Sequence, residues 1–174
     1  MPGKRYTIEE LIERMIAYSD NNAMALLHAN MDPDYRNKVF EDIGLFDPAD
    51  AVHDIMSVAE YTSCFRILFN SSYLNRELSE RALRYLAESD FSLGILRGVP
   101  SGMTVARKFG ERAYDNVKEL HDCGIVYYPN APYLLCIMTK GTDFVGLSES
   151  IIDISRIVFA YVDANQKKLP LERR

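Results

Sequence analysis

The chain reads as an α+β protein: a run of helices, then a three-stranded antiparallel sheet with a final helix laid across it. Three observations predict this. Up to about residue 90 the apolar residues recur at helical intervals behind capping residues. Gly94, Gly98, Pro100 and Gly102 then punctuate a loop, after which short apolar runs of strand character follow. Finally, Thr142 to Val162 returns to helical spacing. Short connections between the strands favour antiparallel pairing. The expected division is a helical part over 1–98 and a sheet-plus-helix part over 99–174, together forming one structural unit.

Thr7, followed by Glu10 three residues later, is a capping-box spacing. Ile8, Leu11, Ile12, Met15 and Ile16 form the stripe of the first helix. Ser19-Asp20-Asn21 interrupts that run, and Ala23 to Leu27 reads as a second helix. Asp32-Pro33 opens a third, with proline in its first turn, running to about Ile43 and ending at Gly44. Leu45 to Ile55 is expected to be a loop. Ser57 caps a helix bearing Val58, Tyr61, Phe65, Leu68 and Phe69, and Asn75 caps another with Leu78, Ala82, Leu83 and Leu86 on one face. Met103 to Lys108 is expected as a strand. Glu119 to Tyr128 and Tyr133 to Thr139 are expected as a hairpin across Pro129–Pro132. The last helix carries Leu147, Ile151, Ile154, Ile157, Val158 and Tyr161 as its apolar stripe.

With 174 residues, 48% apolar and 26% charged, the chain has the composition of an ordinary globular domain. A net charge of −5 with scattered basic residues speaks against nucleic acid as a partner. No run approaches the length of a membrane span. The first residues carry no apolar signal region, so as written the chain is expected in the cytoplasm. Cys64, Cys123 and Cys136 lack metal-binding spacing and are expected as buried free thiols, although Cys123 and Cys136 fall in adjacent strands. No metal or cofactor is expected. His121-Asp122-Cys123 is sequence-adjacent rather than facing, a poor arrangement for a cysteine nucleophile.

Tyr18-Ser-Asp-Asn-Asn-Ala-Met-Ala-Leu-Leu27 and Val105-Ala-Arg-Lys-Phe-Gly-Glu111, followed by a hairpin and a helix, resemble the penicillin-recognising serine hydrolases. These are the class A β-lactamases and D-Ala-D-Ala peptidases. The resemblance covers nearly the whole chain from about Tyr6. It implies an incomplete β-lactamase/transpeptidase-like fold. It also implies acyl transfer on a β-lactam or D-Ala-D-Ala-like substrate, small molecule or peptidoglycan peptide, and an extracytoplasmic location for a full-length member. By the same resemblance Ser19 relays a proton to the leaving nitrogen, Asn21 binds the substrate amide and Asp20 braces the loop. Lys108 places charge near the substrate carboxylate, and Gly110 lets substrate lie close to the strand.

Three departures accompany it. Phe109 stands where the family has Thr or Ser, whose hydroxyl binds the substrate carboxylate; Arg107 and Arg112 are the nearby candidates to compensate. The stretch from Asp42 to Asp54 contains no glutamate to activate a deacylating water, only Asp47, Asp50 and Asp54 after Asp42. And no serine has a lysine three positions on. Ser63 has Arg66 there, and arginine cannot act as a neutral base. The nucleophile is therefore on no residue of this chain, which is expected to be inactive alone. The alternative is a non-catalytic binding protein that retains a remnant of the fold. A homodimer or a missing N-terminal segment would cover the apolar faces left by the absent part.

Overall fold

A computed structural model describes residues 3–45 and 56–168 of the chain. Two compact units make it up, Met1–Asp90 and Phe91–Arg174. Most of the expected loop from Leu45 to Ile55 lies outside the described residues. Among those described, no helix is long and apolar enough to cross a membrane.

The first unit is helical: α1 (Ile8–Ala17), α2 (Asn21–Ala29), α3 (Pro33–Asp42), α4 (Val58–Asn70) and α5 (Arg76–Ala87). Each start follows from a side chain that accepts hydrogen bonds from otherwise unpaired first-turn amides. Thr7 and Glu10 form a reciprocal capping box before α1, and Ser57 and Glu60 form another before α4. Asp20, Asp32 and Asn75 cap α2, α3 and α5. α5 packs against α1 and α4, and Ala17, Ala23, Phe65, Leu83 and Leu86 are the buried apolar side chains of these helices. Arg81 and Tyr85 both donate to Glu9 of α1, at 3.1 Å each.

The second unit begins with a single helical turn, α6 (Ile95–Gly98), in the stretch expected to be all loop. Then come β1 (Val105–Tyr114), β2 (Val117–Val126), β3 (Tyr133–Gly141) and α7 (Phe144–Lys168). The sheet has the order β1-β2-β3, antiparallel throughout. β1 is longer than expected because pairing carries it through the polar residues Glu111 and Arg112, up to a two-residue turn with Asp115 in the left-handed region (φ +50°). Val105, Leu120, Val126 and Ile137 of the sheet pack with Ile95, Val99, Leu147 and Ile151 into one core. Gly98 fits against α7 at Ser155, where an added Cβ would come within 2.3 Å of the serine Cβ. The Ser155 hydroxyl donates to the Ile95 carbonyl at 2.9 Å.

Two expectations are corrected here. Cys123 and Cys136 are not free thiols: they stand directly opposite in the β2–β3 register and are joined as a disulfide. Cys64 is the free cysteine, half-buried, with burial pushing its thiol pKa up. The stripe of α7 is only partly buried. Leu147 and Ile151 enter the core, but Ile154, Ile157 and Tyr161 are 41%, 69% and 71% exposed. The small polar Ser148 and Ser155 are buried instead, where α6 and the sheet approach closely.

Candidate functional site

In the first unit three residues, Tyr18, Ser19 and Asp20, are the whole connection between α1 and α2, and Asn21 opens α2. Such a tight joint forces the chain to turn within one residue. Ser19 does so at φ +53°, a left-handed conformation that a side chain makes costly. Ser19 is half-buried and Asn21, the first residue of α2, is exposed. Asp20 holds the joint. Its Oδ1 accepts from the amides of Asn22 at 2.9 Å and Ala23 at 3.2 Å, and its own amide donates to the Arg14 carbonyl. The Arg14 guanidinium lies 4.0 Å from Asp20 Oδ2. Capping and bracing are thus the same set of contacts.

In the second unit the alternation of β1 divides neighbouring residues between two faces. Arg107 and Phe109 share the face of Val105, which packs on the core beneath α6 and α7; Lys108 and Gly110 belong to the other. The Arg107 side chain is 1% exposed. It donates to Asp122 Oδ2 at 3.2 Å and to the Leu93 carbonyl at 3.2 Å. The same Asp122 oxygen accepts from the Ile95 amide at 2.8 Å, while its Oδ1 meets no hydrogen-bond donor among the described residues. Burial pushes the Asp122 pKa up to about 6, against the opposing pull of Arg107 and the Ile95 amide. Arg107 is therefore committed to a buried ion pair and is no replacement for a carboxylate anchor. Arg112 is exposed, with its guanidinium 5.2 Å from the Tyr114 ring centre.

The Phe109 ring stacks on Phe91, centroids 4.3 Å apart and 14° from parallel. Lys108, half-buried on β1, bends back over its neighbour. Its Nζ donates to the Phe109 carbonyl at 3.0 Å and sits 4.7 Å from the Phe109 ring centre. A Cβ at Gly110 would meet no atom within 4 Å, so the space before it is open. Cys123 is in a disulfide and has no thiol to act as a nucleophile. Of the carboxylates between Asp42 and Asp54, only Asp42 is described. It ends α3 and is held by Lys38 Nζ at 2.8 Å. Among the described residues no three His, Cys, Asp or Glu side chains gather as metal ligands.

The Arg107–Asp122 pair is the feature that sequence reasoning missed, and its signal was present. Arg107 sits opposite Gly124, where a Cβ would come 2.5 Å from the arginine's own Cβ. A glycine facing an arginine two residues beyond an aspartate, flanked on that face by Val105, Phe109, Leu120 and Val126, marks a cation turned inward.

Comparison with known structures agrees with this architecture. PBP-A superposes with a TM-score of 0.74 at 23% identity, covering 94% of this chain and 64% of its own. A class A beta-lactamase from Mycobacterium abscessus gives 0.73 at 21%, covering 92% and 67%. A beta-lactamase from Sphaerobacter thermophilus gives 0.71 at 21%, covering 90% and 62%. At these identities the likeness is one of fold, and the chain spans about two thirds of the length of each. No curated protein matches it in sequence. The model of one family does, and its match runs over residues 1–162 of the 174, so the chain belongs to the beta-lactamase enzyme family.

Proposed function

We propose that this chain is the portion of a β-lactamase-like serine hydrolase that shapes the pocket around a nucleophile carried elsewhere, and that it is inactive alone. The observation that carries the reading is the succession along the chain, in family order, of a strained Ser19 at a helix joint and a lysine–x–glycine strand, in a chain without Ser-x-x-Lys. Backbone strain of this kind clusters at functional sites, although Ser71, Asp115 and Asn130 in turns and at a helix end also have positive φ. In the complete protein a serine Oγ attacks the carbonyl carbon of a β-lactam or D-Ala-D-Ala-like amide. The carbon–nitrogen bond then breaks, and Ser19 passes a proton to the departing nitrogen. Lys108 places positive charge near the substrate carboxylate, Asn21 binds the acyl side-chain amide and Gly110 leaves room for the substrate backbone. Water then releases the acyl group. A PBP-A variant in acyl-enzyme complex with penicillin G has the same fold and supports this class of chemistry.

Phe109 deepens the reading. Its ring offers no hydroxyl to a substrate carboxylate, so substrates that depend on that contact are disfavoured. With no glutamate from Asp42 to Asp54, deacylation is expected to be slow.

Intact-mass spectrometry after incubation with penicillin G tests the proposal. The 174-residue chain should stay unmodified, and an adduct on any serine would refute its inactivity. Co-expression with a Ser-x-x-Lys segment of a family member should restore acylation, and Lys108→Ala should lower that restored rate by roughly 100-fold. Restored acylation indifferent to Lys108 would remove this residue from the site.

A further inference from the structure

A pair of stacked rings joins a buried ion pair to Lys108, and every contact in the series lies within the second unit. At its inner end the Asp122 carboxylate holds two elements at once. Its Oδ2 accepts from Arg107 of β1 at 3.2 Å and from the Ile95 amide, at the start of α6, at 2.8 Å. Arg107 also donates to the Leu93 carbonyl, so the segment from Phe91 to Ile95 is fastened to the sheet at two points. The fit is close: Gly94 lies at φ +71°, and a Cβ there would collide with Asp122 Oδ2.

From this pair the series runs through aromatic rings. The Arg107 guanidinium lies 5.3 Å from the Phe91 ring centre. Phe91 stacks on Phe109 at 4.3 Å, and Lys108 Nζ sits 4.7 Å over the Phe109 ring while donating to its carbonyl. Two cations thus meet one pair of stacked rings, an arrangement favoured by the attraction of a cation to an aromatic face. A buried ion pair is a poor source of stability, because desolvation offsets most of the attraction between its charges. What it supplies is direction. A planar guanidinium bound to one carboxylate oxygen and one carbonyl has few orientations left, and fixing it fixes the ring that it faces.

We propose that Asp122 is a positioning residue for Lys108, acting through Arg107 and the stacked rings of Phe91 and Phe109. With the carboxylate ionised, Arg107 and the Leu93–Ile95 turn are drawn to it and the stack is held. A proton goes to Oδ1, which meets no donor among the described residues. Oδ2 then accepts its two bonds without the charge that strengthens them. The sign follows from linkage. Arg107 and the Ile95 amide lower a pKa that burial raises, to about 6, so the arrangement in which they engage Asp122 binds the proton less tightly. Protonation therefore favours their release, and the rings and Lys108 loosen with them. Arg107 and Lys108 are the charges of β1 that act on Asp122. Its other neighbours are Phe109 and Ile137, opposite it in β1 and β3, and the buried Leu147, Ser148, Ile151 and Ser155 of α7, none of them charged. The bearing on acylation rests on the role proposed above for Lys108; the coupling itself does not.

Nuclear magnetic resonance of the full chain, carbon-13 labelled at lysine and aspartate, tests it without any activity. The ε-methylene signal lost in Lys108→Arg identifies Lys108, and the ring beneath it makes that signal sensitive to their separation. In the unmodified chain this signal should move with the same midpoint as the Asp122 carboxyl carbon, at about pH 6. Asp122→Asn keeps the shape of the side chain, removes the titration and should abolish the step. Phe91→Leu should leave the Asp122 titration in place and shrink the Lys108 step at least about threefold. Should Asp122→Asn fail to fold, the matching midpoints and Phe91→Leu decide the matter. A Lys108 signal that stays level across the titration, a step that persists in folded Asp122→Asn, or a step of full size in Phe91→Leu, which would mean direct attraction between Lys108 and Asp122, each overturns the proposal.

Discussion

The Ser19–Asn21 joint and the Arg107–Gly110 stretch carry the residues most suggestive of chemistry, and they are held in opposite ways. The joint is fixed by its own neighbourhood: Asp20 bonds to amides two and three residues ahead, and Arg14 lies in the preceding turn. The strand is fixed from afar, through Asp122 fifteen residues on and Ile95 on another element. The difference teaches that one chain can hold one candidate segment by local contacts and another only once a sheet has formed. The first should fail gently when altered and the second abruptly.

Asp122→Ala is the strongest way to break that contrast. It strands a buried guanidinium, and chemical denaturation should show a loss of about 3–5 kcal/mol. A loss below 1 kcal/mol would mean that the joint and the strand are equally robust. The pH dependence sharpens the point. Asp122 keeps its proton to about pH 6 when folded but only to about 3.8 when unfolded. The stability that protonation confers is therefore complete at low pH and is lost as pH rises from 3.8 through about 6. The stability of the wild type relative to Asp122→Asn should shrink over that window. A gap that widens with pH would show that the ion pair outweighs its desolvation.

Next in size come two glycines of the same sheet. Gly124→Ala drives a Cβ to 2.5 Å from Arg107 Cβ and 2.6 Å from the Ala106 carbonyl oxygen, and should cost about 1–3 kcal/mol. Gly110→Ala meets nothing and should change stability by less than about 0.5 kcal/mol. Equal losses would contradict the open space before Gly110. At the helix joint, Asp20→Ala removes a cap and should cost about 1 kcal/mol by thermal unfolding. The smallest effect is a gain. Ser19→Gly relieves a left-handed serine and should stabilise by a few tenths to about 1 kcal/mol, while removing the hydroxyl assigned to proton relay. A destabilised Ser19→Gly would mean that the serine side chain does more to hold the joint than its backbone strain costs.

The same division explains what was legible in the sequence. The starts of α1, α3, α4 and α5 were readable because caps act within a few residues. The end of β1 was not, since Glu111 and Arg112 break its apolar pattern and only pairing with β2 keeps them extended. Lys108 and Gly110 could be located from family spacing, but which of Arg107 and Lys108 turned inward depended on Asp122 and on Gly124 giving way. The disulfide was hidden for a similar reason. The sequence put Cys123 and Cys136 in adjacent strands, but whether they stood opposite rested on a register that a one-residue slip would have changed.

That covalent link also limits how molecules of this chain can associate. With Cys123 bonded to Cys136, β3 cannot peel away from β2 and enter another molecule's sheet in its place. Strand exchange, the route by which hairpins entangle and proteins swap segments, is closed while the bond persists.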